Sequence, residues 1–338
     1  MIRGIDVHTH IIPEHFPAYA GGGRDVLWPS MQHDGCGHAN VIVSGKNYRT
    51  VPNTSWDTAL RAQDMDAMGI ARQALSPMPE LLSYWLPLAD AKVLIRWLND
   101  SIAAMVAAQP TRFVGLGCVP LQDTEAAIAE LEYVVKTLKF SGVEIASHVN
   151  GASIGEARFE PFFAAAEKMG AAVFVHALRP AGKDRLVGPP QLEQVVAFPG
   201  DVALAAASMI TGGTAEKHPN LRIAFSHGCG ALPIMLPRIE HGWKTVPAIR
   251  EAIGRAPGEI ARRFYCDTLT YNAETLRLAL RTFGEDKLMI GTDYPFQIRD
   301  PDPHGSVSAL GLDEGRASAL REGNAVRFLG LTSQTQAR

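Results

Sequence analysis

The sequence predicts an α/β protein: one (β/α)8 TIM barrel over residues 1–338, with an insertion after its first strand. Three observations carry this expectation. Short apolar, β-branched runs alternate with longer amphipathic segments. There are eight such runs, and several of them end on polar residues able to bind a metal. Strand-then-helix alternation predicts parallel βα units. Eight units favour closure into a barrel over an open doubly wound sheet, and 338 residues suit one barrel with insertions.

Taken in order, the strand candidates are residues 5–10, 73–76, 113–119, 143–147, 173–176, 223–227, 264–267 and 288–293. Helical periodicity runs over 57–68, 91–108, 125–138, 159–169, 190–218, 273–282 and 314–329. Residues 13–55 break the alternation. They are rich in Gly, Pro, His and Asn and show little periodicity. A connection this long without helices of its own is usually functional. It reads as an insertion covering the barrel mouth, with a small hairpin between Val41 and Val51.

Hydrophobic residues make up 46% of the chain and charged residues 20%, enough apolar material for a large core. The formal net charge of −3 supplies no basic field for a nucleic-acid backbone or an acidic membrane, so neither is expected as a partner. No run of about 18 apolar residues predicts a membrane span. The first residues lack the pattern of a signal peptide, which makes the cytoplasm the expected location. Cys36, Cys118, Cys229 and Cys266 form no CxxC pair and read as free thiols. No G-x-G-x-x-G or Walker pattern is present to bind an organic cofactor.

The chemistry sits at strand ends. Alternate side chains of a strand share a face, so His8 and His10 at the end of the first run point the same way, into the barrel. His176 closes the fifth run, His227 the sixth and Asp293 the eighth, each after an apolar stretch. In a barrel the C-terminal strand ends converge on one mouth. Five metal-competent side chains arriving there together outweigh the reading of unrelated core histidines. The remaining histidines carry no such pattern and read as surface or structural residues.

This arrangement resembles the amidohydrolase superfamily, and within it the decarboxylase branch. The similarity runs through Asp6 to His10, Gly45-Lys46-Asn47-Tyr48-Arg49, Trp56-Asp57 and Arg112 to Gly117. It continues through Pro120-Leu121-Gln122, Ser208-Met209-Ile210, Ser226-His227-Gly228, Arg238-Ile239 and Gly291 to Phe296. The resemblance implies a divalent ion on His8, His10, His176 and Asp293, one per subunit, with a water completing the shell. Zn2+ is the expected ion, since three nitrogens and a carboxylate suit it; Mn2+ is the runner-up. Near Glu144 the fourth strand offers no lysine to bridge two ions, which points to a single metal.

By the same resemblance His227 is the acid/base beside the metal water, and Asp293 shares in catalysis. Arg49 and Phe296 contact substrate, and Arg238 reaches the site of a neighbouring subunit in a homodimer. The expected substrate is a small carboxylate, since a guanidinium fork donates two parallel hydrogen bonds to one. One departure bears on its identity. Where the family has Pro-Trp after the strand-five histidine, this chain has Ala177-Leu178-Arg179-Pro180. The expected reaction is metal-dependent, non-oxidative decarboxylation of a small unsaturated or aromatic acid. The alternatives are a hydrolase or hydratase of a related acid or lactone on the same scaffold, and a metal-binding protein without catalysis.

Overall fold

A computed structural model describes residues 4–21 and 26–331. Eight parallel strands form one sheet in chain order: β1 (Gly4–Ile11), β2 (Ile70–Pro77), β3 (Phe113–Gly117), β4 (Gly142–Ala146), β5 (Ala172–His176), β6 (Arg222–Phe225), β7 (Tyr265–Asp267) and β8 (Leu288–Met289). Hydrogen bonds between β1 and the residues that follow β8 bring the ends of the sheet together. Val7 N donates to Ile290 O (2.9 Å), Asp293 N to His8 O (2.9 Å) and His10 N to Tyr294 O (2.7 Å).

Alternation on the strands sets the two core layers. On β5, Ala172 and Phe174 pack inside the barrel with Val7, Leu116, Ala224 and Met289. Val173 and Val175 point outward, into the layer beneath the helices. The helices start where polar side chains satisfy their free N–H groups. Asp57 accepts from Ala59 N and Leu60 N ahead of Thr58–Ala67. Asp123 and Asn272 do the same for Thr124–Lys136 and Ala273–Phe283.

Several sequence expectations need correction. The stretch 190–218 is not one helix. It opens as a π-helical turn (Glu193–Ala197), continues as Phe198–Thr211 and restarts at Thr214–Lys217 beyond Gly212 and Gly213. Glu193–Thr211 is long and apolar enough by composition to cross a membrane, but Phe198, Val202, Ala206, Met209 and Ile210 are buried, as in a core helix. The helix expected to carry Arg238 after β6 is present as Leu232–Thr245, although Pro233 and Pro237 blunt its periodicity. The eighth strand pairs only at Leu288 and Met289 and then runs on as irregular chain. Gly291 lies in that stretch, where a Cβ would sit 2.8 Å from His8 Cβ and 2.5 Å from Asp267 Cβ, so only glycine lets the chain pass.

The hairpin expected near Val41 to Val51 is part of a three-stranded antiparallel sheet, Ser30–His33, His38–Val43 and Lys46–Pro52. Its buried Val41, Val43 and Val51 join the outer core cluster, which ties this segment to the barrel.

Candidate metal centre

His8, His10, His176 and Asp293 come together as the sequence led one to expect. One ligand atom from each lies within 4.8 Å of the other three, and all four residues are buried. His8 reaches the cluster through an irregularity. Between Asp6 and Thr9, β1 advances three residues while β2 advances two, from Gln73 to Leu75. Such a bulge re-aims side chains, so Val7 packs in the barrel interior while His8 and His10 also face inward, their ring centroids 5.1 Å apart.

Each imidazole is held by its other nitrogen. His8 Nδ1 bonds Asp267 Oδ2 at 2.7 Å, His10 Nδ1 bonds Pro77 O at 3.1 Å, and His176 Nδ1 bonds Ala177 O at 2.8 Å. With Nδ1–H donated in each case, the Nε2 lone pairs are left free, and all three Nε2 atoms and Asp293 Oδ1 are buried without a hydrogen-bond partner. Asp293 Oδ1 lies 3.1 Å from His10 Nε2 and 3.5 Å from His8 Nε2. Buried polar atoms without partners are costly and rare. Four of them converging, three imidazole nitrogens and one carboxylate oxygen, fit a divalent cation.

The electrostatics agree. Burial drives His10 down to about 4 and His176 well below its usual value, so both are neutral ligands. Burial also opposes charge on His8, but the hydrogen bond it donates to Asp267 and the charges of Asp267 and Asp293 outweigh it and raise His8 to about 9. Asp293 is pushed up by burial yet held well below the carboxylate range by His10 Nε2 at 3.1 Å and the other imidazoles around it. Either a proton or a cation at His8 Nε2 answers the negative charge of Asp267 and Asp293, and a bound cation takes the place of the proton.

His227 stands beside the four, its ring centroid 5.0 Å from His176 and 5.3 Å from His8. It occupies a left-handed turn (φ 57°) just past β6, a conformation uncommon outside glycine and often found at functional sites. Asp293 is left-handed too (φ 65°). Ser226 Oγ lies 3.0 Å from His227 Nδ1, and burial lowers the imidazole to about 4. Phe296 stacks on His10 with centroids 5.2 Å apart, and the Arg49 guanidinium lies 3.7 Å from the Phe296 ring centre. A cavity of about 280 Å3 is bounded by His227, Asp293, Phe198 and Tyr271. Arg238 is not among its walls; it is exposed on Leu232–Thr245.

Sequence reasoning missed four supporting residues. Asp267, at the end of β7, accepts from His8 Nδ1 and also from the backbone N–H groups of His227 (2.9 Å), Gly228 (2.8 Å) and Leu269 (3.1 Å). Asp6 accepts from Thr292 N and Oγ1, tying β1 to the Asp293 turn. Fully buried Arg61 donates to His10 O at 3.0 Å and Gln73 Oε1 at 2.7 Å. Glu144, pushed up to about 8 by burial, accepts from Ser76 Oγ at 2.6 Å and lies 3.7 Å from His10 Nδ1. The available signal was position: Asp267 and Glu144 both lie toward the C-terminal ends of barrel strands.

Comparison with known proteins places this geometry. An amidohydrolase family model matches residues 5–331. The chain is 37% identical over 335 residues to 2-amino-3-carboxymuconate-6-semialdehyde decarboxylase of Dictyostelium discoideum, covering 97% of this chain and 91% of that one. A solved 2,6-dihydroxybenzoate decarboxylase in complex with 2,6-dihydroxybenzoate superposes with a TM-score of 0.71 at 26% identity, over 80% of this chain and 87% of that one. Dihydroxybenzoic acid decarboxylase from Polaromonas sp. JS666, with bound manganese and the inhibitor 2-nitroresorcinol, covers both chains fully at a TM-score of 0.77 and 24% identity, a likeness of fold. A barrel of this topology, with its cluster at the strand ends and a family match over nearly its whole length, belongs to the amidohydrolase family.

Proposed function

We propose that this protein is a metal-dependent, non-oxidative decarboxylase of a small unsaturated or aromatic carboxylic acid. The observation that carries the reading is the set of four buried, unpartnered ligand atoms of His8, His10, His176 and Asp293, beside a fifth metal-competent residue, His227. The 2-amino-3-carboxymuconate-6-semialdehyde and dihydroxybenzoate decarboxylases it resembles support the same reaction class.

The three histidines and Asp293 would hold the ion. Zn2+ is our first choice from the nitrogen-rich donor set, with Mn2+ second because a relative of the same fold carries it. Bound there, the ion supplies Lewis-acid polarisation and draws the pKa of a water toward about 7. Arg49 binds and orients the substrate carboxylate, and its seat on Phe296 sets its distance from His10. Phe296 gives the conjugated plane an apolar wall. His227, its Nδ1 engaged by Ser226, delivers a proton from Nε2 to the carbon that bears the carboxylate. Asp293 offsets the positive charge of the protonated frame, which is discharged when the C–C bond breaks, its electron pair stays on the frame and CO2 leaves.

The described part of residues 13–55 (13–21 and 26–55) forms the cover of this pocket in our reading, supported by Arg49 projecting from its sheet onto Phe296. Arg238 completes the site of a second copy. Support comes from its exposure one helical turn from Ile234, a 72% exposed apolar residue on the same face. The test is CO2 release by Zn2+- or Mn2+-loaded protein from a panel of unsaturated and aromatic acids, with loss of activity on chelation. Hydrolysis or hydration of the panel with no CO2 from any acid would overturn the proposal.

A further inference from the structure

A second cavity, of about 500 Å3, lies between the three-stranded sheet and the chain that follows β5, bounded by Tyr48, Glu80, Trp85 and Arg179. It shares Tyr48, Gln191 and Gln194 with the cavity that holds Arg49 and Phe296. Gln194 also borders the cavity of His227 and Asp293. The three spaces are therefore neighbours along one wall.

Glu80 follows the end of β2 in a short 3-10 turn, Pro79–Leu82, and is only 5% exposed. Tyr48 donates to its Oε1. Its Oε2 is buried and has no partner, and burial raises the carboxyl above its usual range. A buried acceptor left unpaired beside a cavity is paid for by something the cavity binds. Arg179, the cation that follows Ala177 and Leu178 where the family has Pro-Trp, is already engaged. Its guanidinium lies 3.2 Å from the centre of the Trp85 ring, and Nη2 donates to Ser44 Oγ at 2.9 Å. Of the other cations on the wall, Lys183 lies 3.6 Å from Glu193 and Lys46 is exposed to solvent, so the buried spare capacity belongs to Glu80 and calls for a hydrogen-bond donor.

We infer that Glu80 is a specificity residue. Its free Oε2 accepts a hydrogen bond from an amino or hydroxyl substituent of the same acid whose carboxylate Arg49 binds, an inference that rests on the substrate class proposed above. Tyr48, the neighbour of Arg49 in sequence, couples the two contacts by orienting Glu80.

The test is calorimetric titration of the metal-loaded full chain with benzoate and with its 3- and 4-amino and 3- and 4-hydroxy derivatives. The amino and hydroxy series identify which donor is preferred. At least one derivative should bind about 10- to 100-fold more tightly than benzoate, as a charge-assisted hydrogen bond allows. In Glu80→Leu that ratio should fall to about one, while Glu80→Gln, which keeps an acceptor oxygen, retains part of it. Metal content reports whether the histidine cluster is intact in each variant. If Glu80→Leu does not fold, Tyr48→Phe decides: it must lower the ratio by roughly threefold or more. A ratio that survives these changes overturns the inference. So does a wild-type protein that binds no derivative better than benzoate, including one that binds none. Because binding is read without turnover, CO2 assays on the same samples report separately on the decarboxylase reading.

Discussion

Replacing Asp267 with Asn tests how the centre is held. Asp267 Oδ2 accepts from His8 Nδ1 and His227 N, and Oδ1 accepts from Gly228 N and Leu269 N. An amide has one oxygen, so in either orientation two N–H groups meet an NH2 instead of an acceptor. Orphaning one buried donor costs about 1–3 kcal/mol. The two share one side chain and are not independent, so the loss should be about 2–4 kcal/mol. His8 can relieve part of it by moving its proton from Nδ1 to Nε2, but Nε2 is the atom aimed at Asp293 Oδ1. That tautomer cannot bind a cation. Either outcome should weaken metal binding by about 10- to 100-fold, the usual effect of losing such a support. Zn2+ titration of metal-free protein against a chromogenic chelator measures the affinity. Urea unfolding of the metal-free protein measures the stability, with an unchanged m-value expected. An Asn variant that binds Zn2+ within about threefold of wild type, with unchanged stability, would show that Asp267 does not set the His8 tautomer.

Other variants separate the remaining roles. Asp293→Asn and His176→Ala should each abolish turnover and lower metal content, whereas His227→Ala should abolish turnover with the metal retained; an emptied site in the last variant would make His227 a ligand. Arg49→Ala should raise KM and lower kcat/KM by roughly one to three powers of ten, as loss of a charge-assisted contact of about 1.5–3 kcal/mol plus misplacement requires. Unchanged kinetics would remove Arg49 from the pocket. If Arg238 serves a neighbouring copy, mixing His227→Ala with Arg238→Ala chains places both lesions in one site of a hybrid dimer and neither in the other. With free exchange, activity should return to about a quarter of wild type. Hybrids that form and stay inactive refute the shared site.

The sequence by itself determined the strand count and the four residues of the cluster. The strand count is a periodic feature, since apolar runs recur by element; five metal-competent residues at strand ends followed from it, and the family resemblance singled out the four. It did not determine how His8 comes to face inward. That depends on a bulge between Asp6 and Thr9, visible only as a slip against β2. Nor did it single out Asp267, Asp6 or Arg61. Each acts through a partner far off in the chain, Asp267 on His8 and Asp6 on Thr292 across the closed barrel, and no local pattern records such pairs. The break at Gly212 and Gly213 follows a local signal, because glycine is a poor helix former. Residue type and spacing decided which groups could bind a cation. Closure of the sheet, which brings the ends of β1, β5 and β7 and the turn after β8 to one mouth, decided that they meet and left four buried atoms with no other partner.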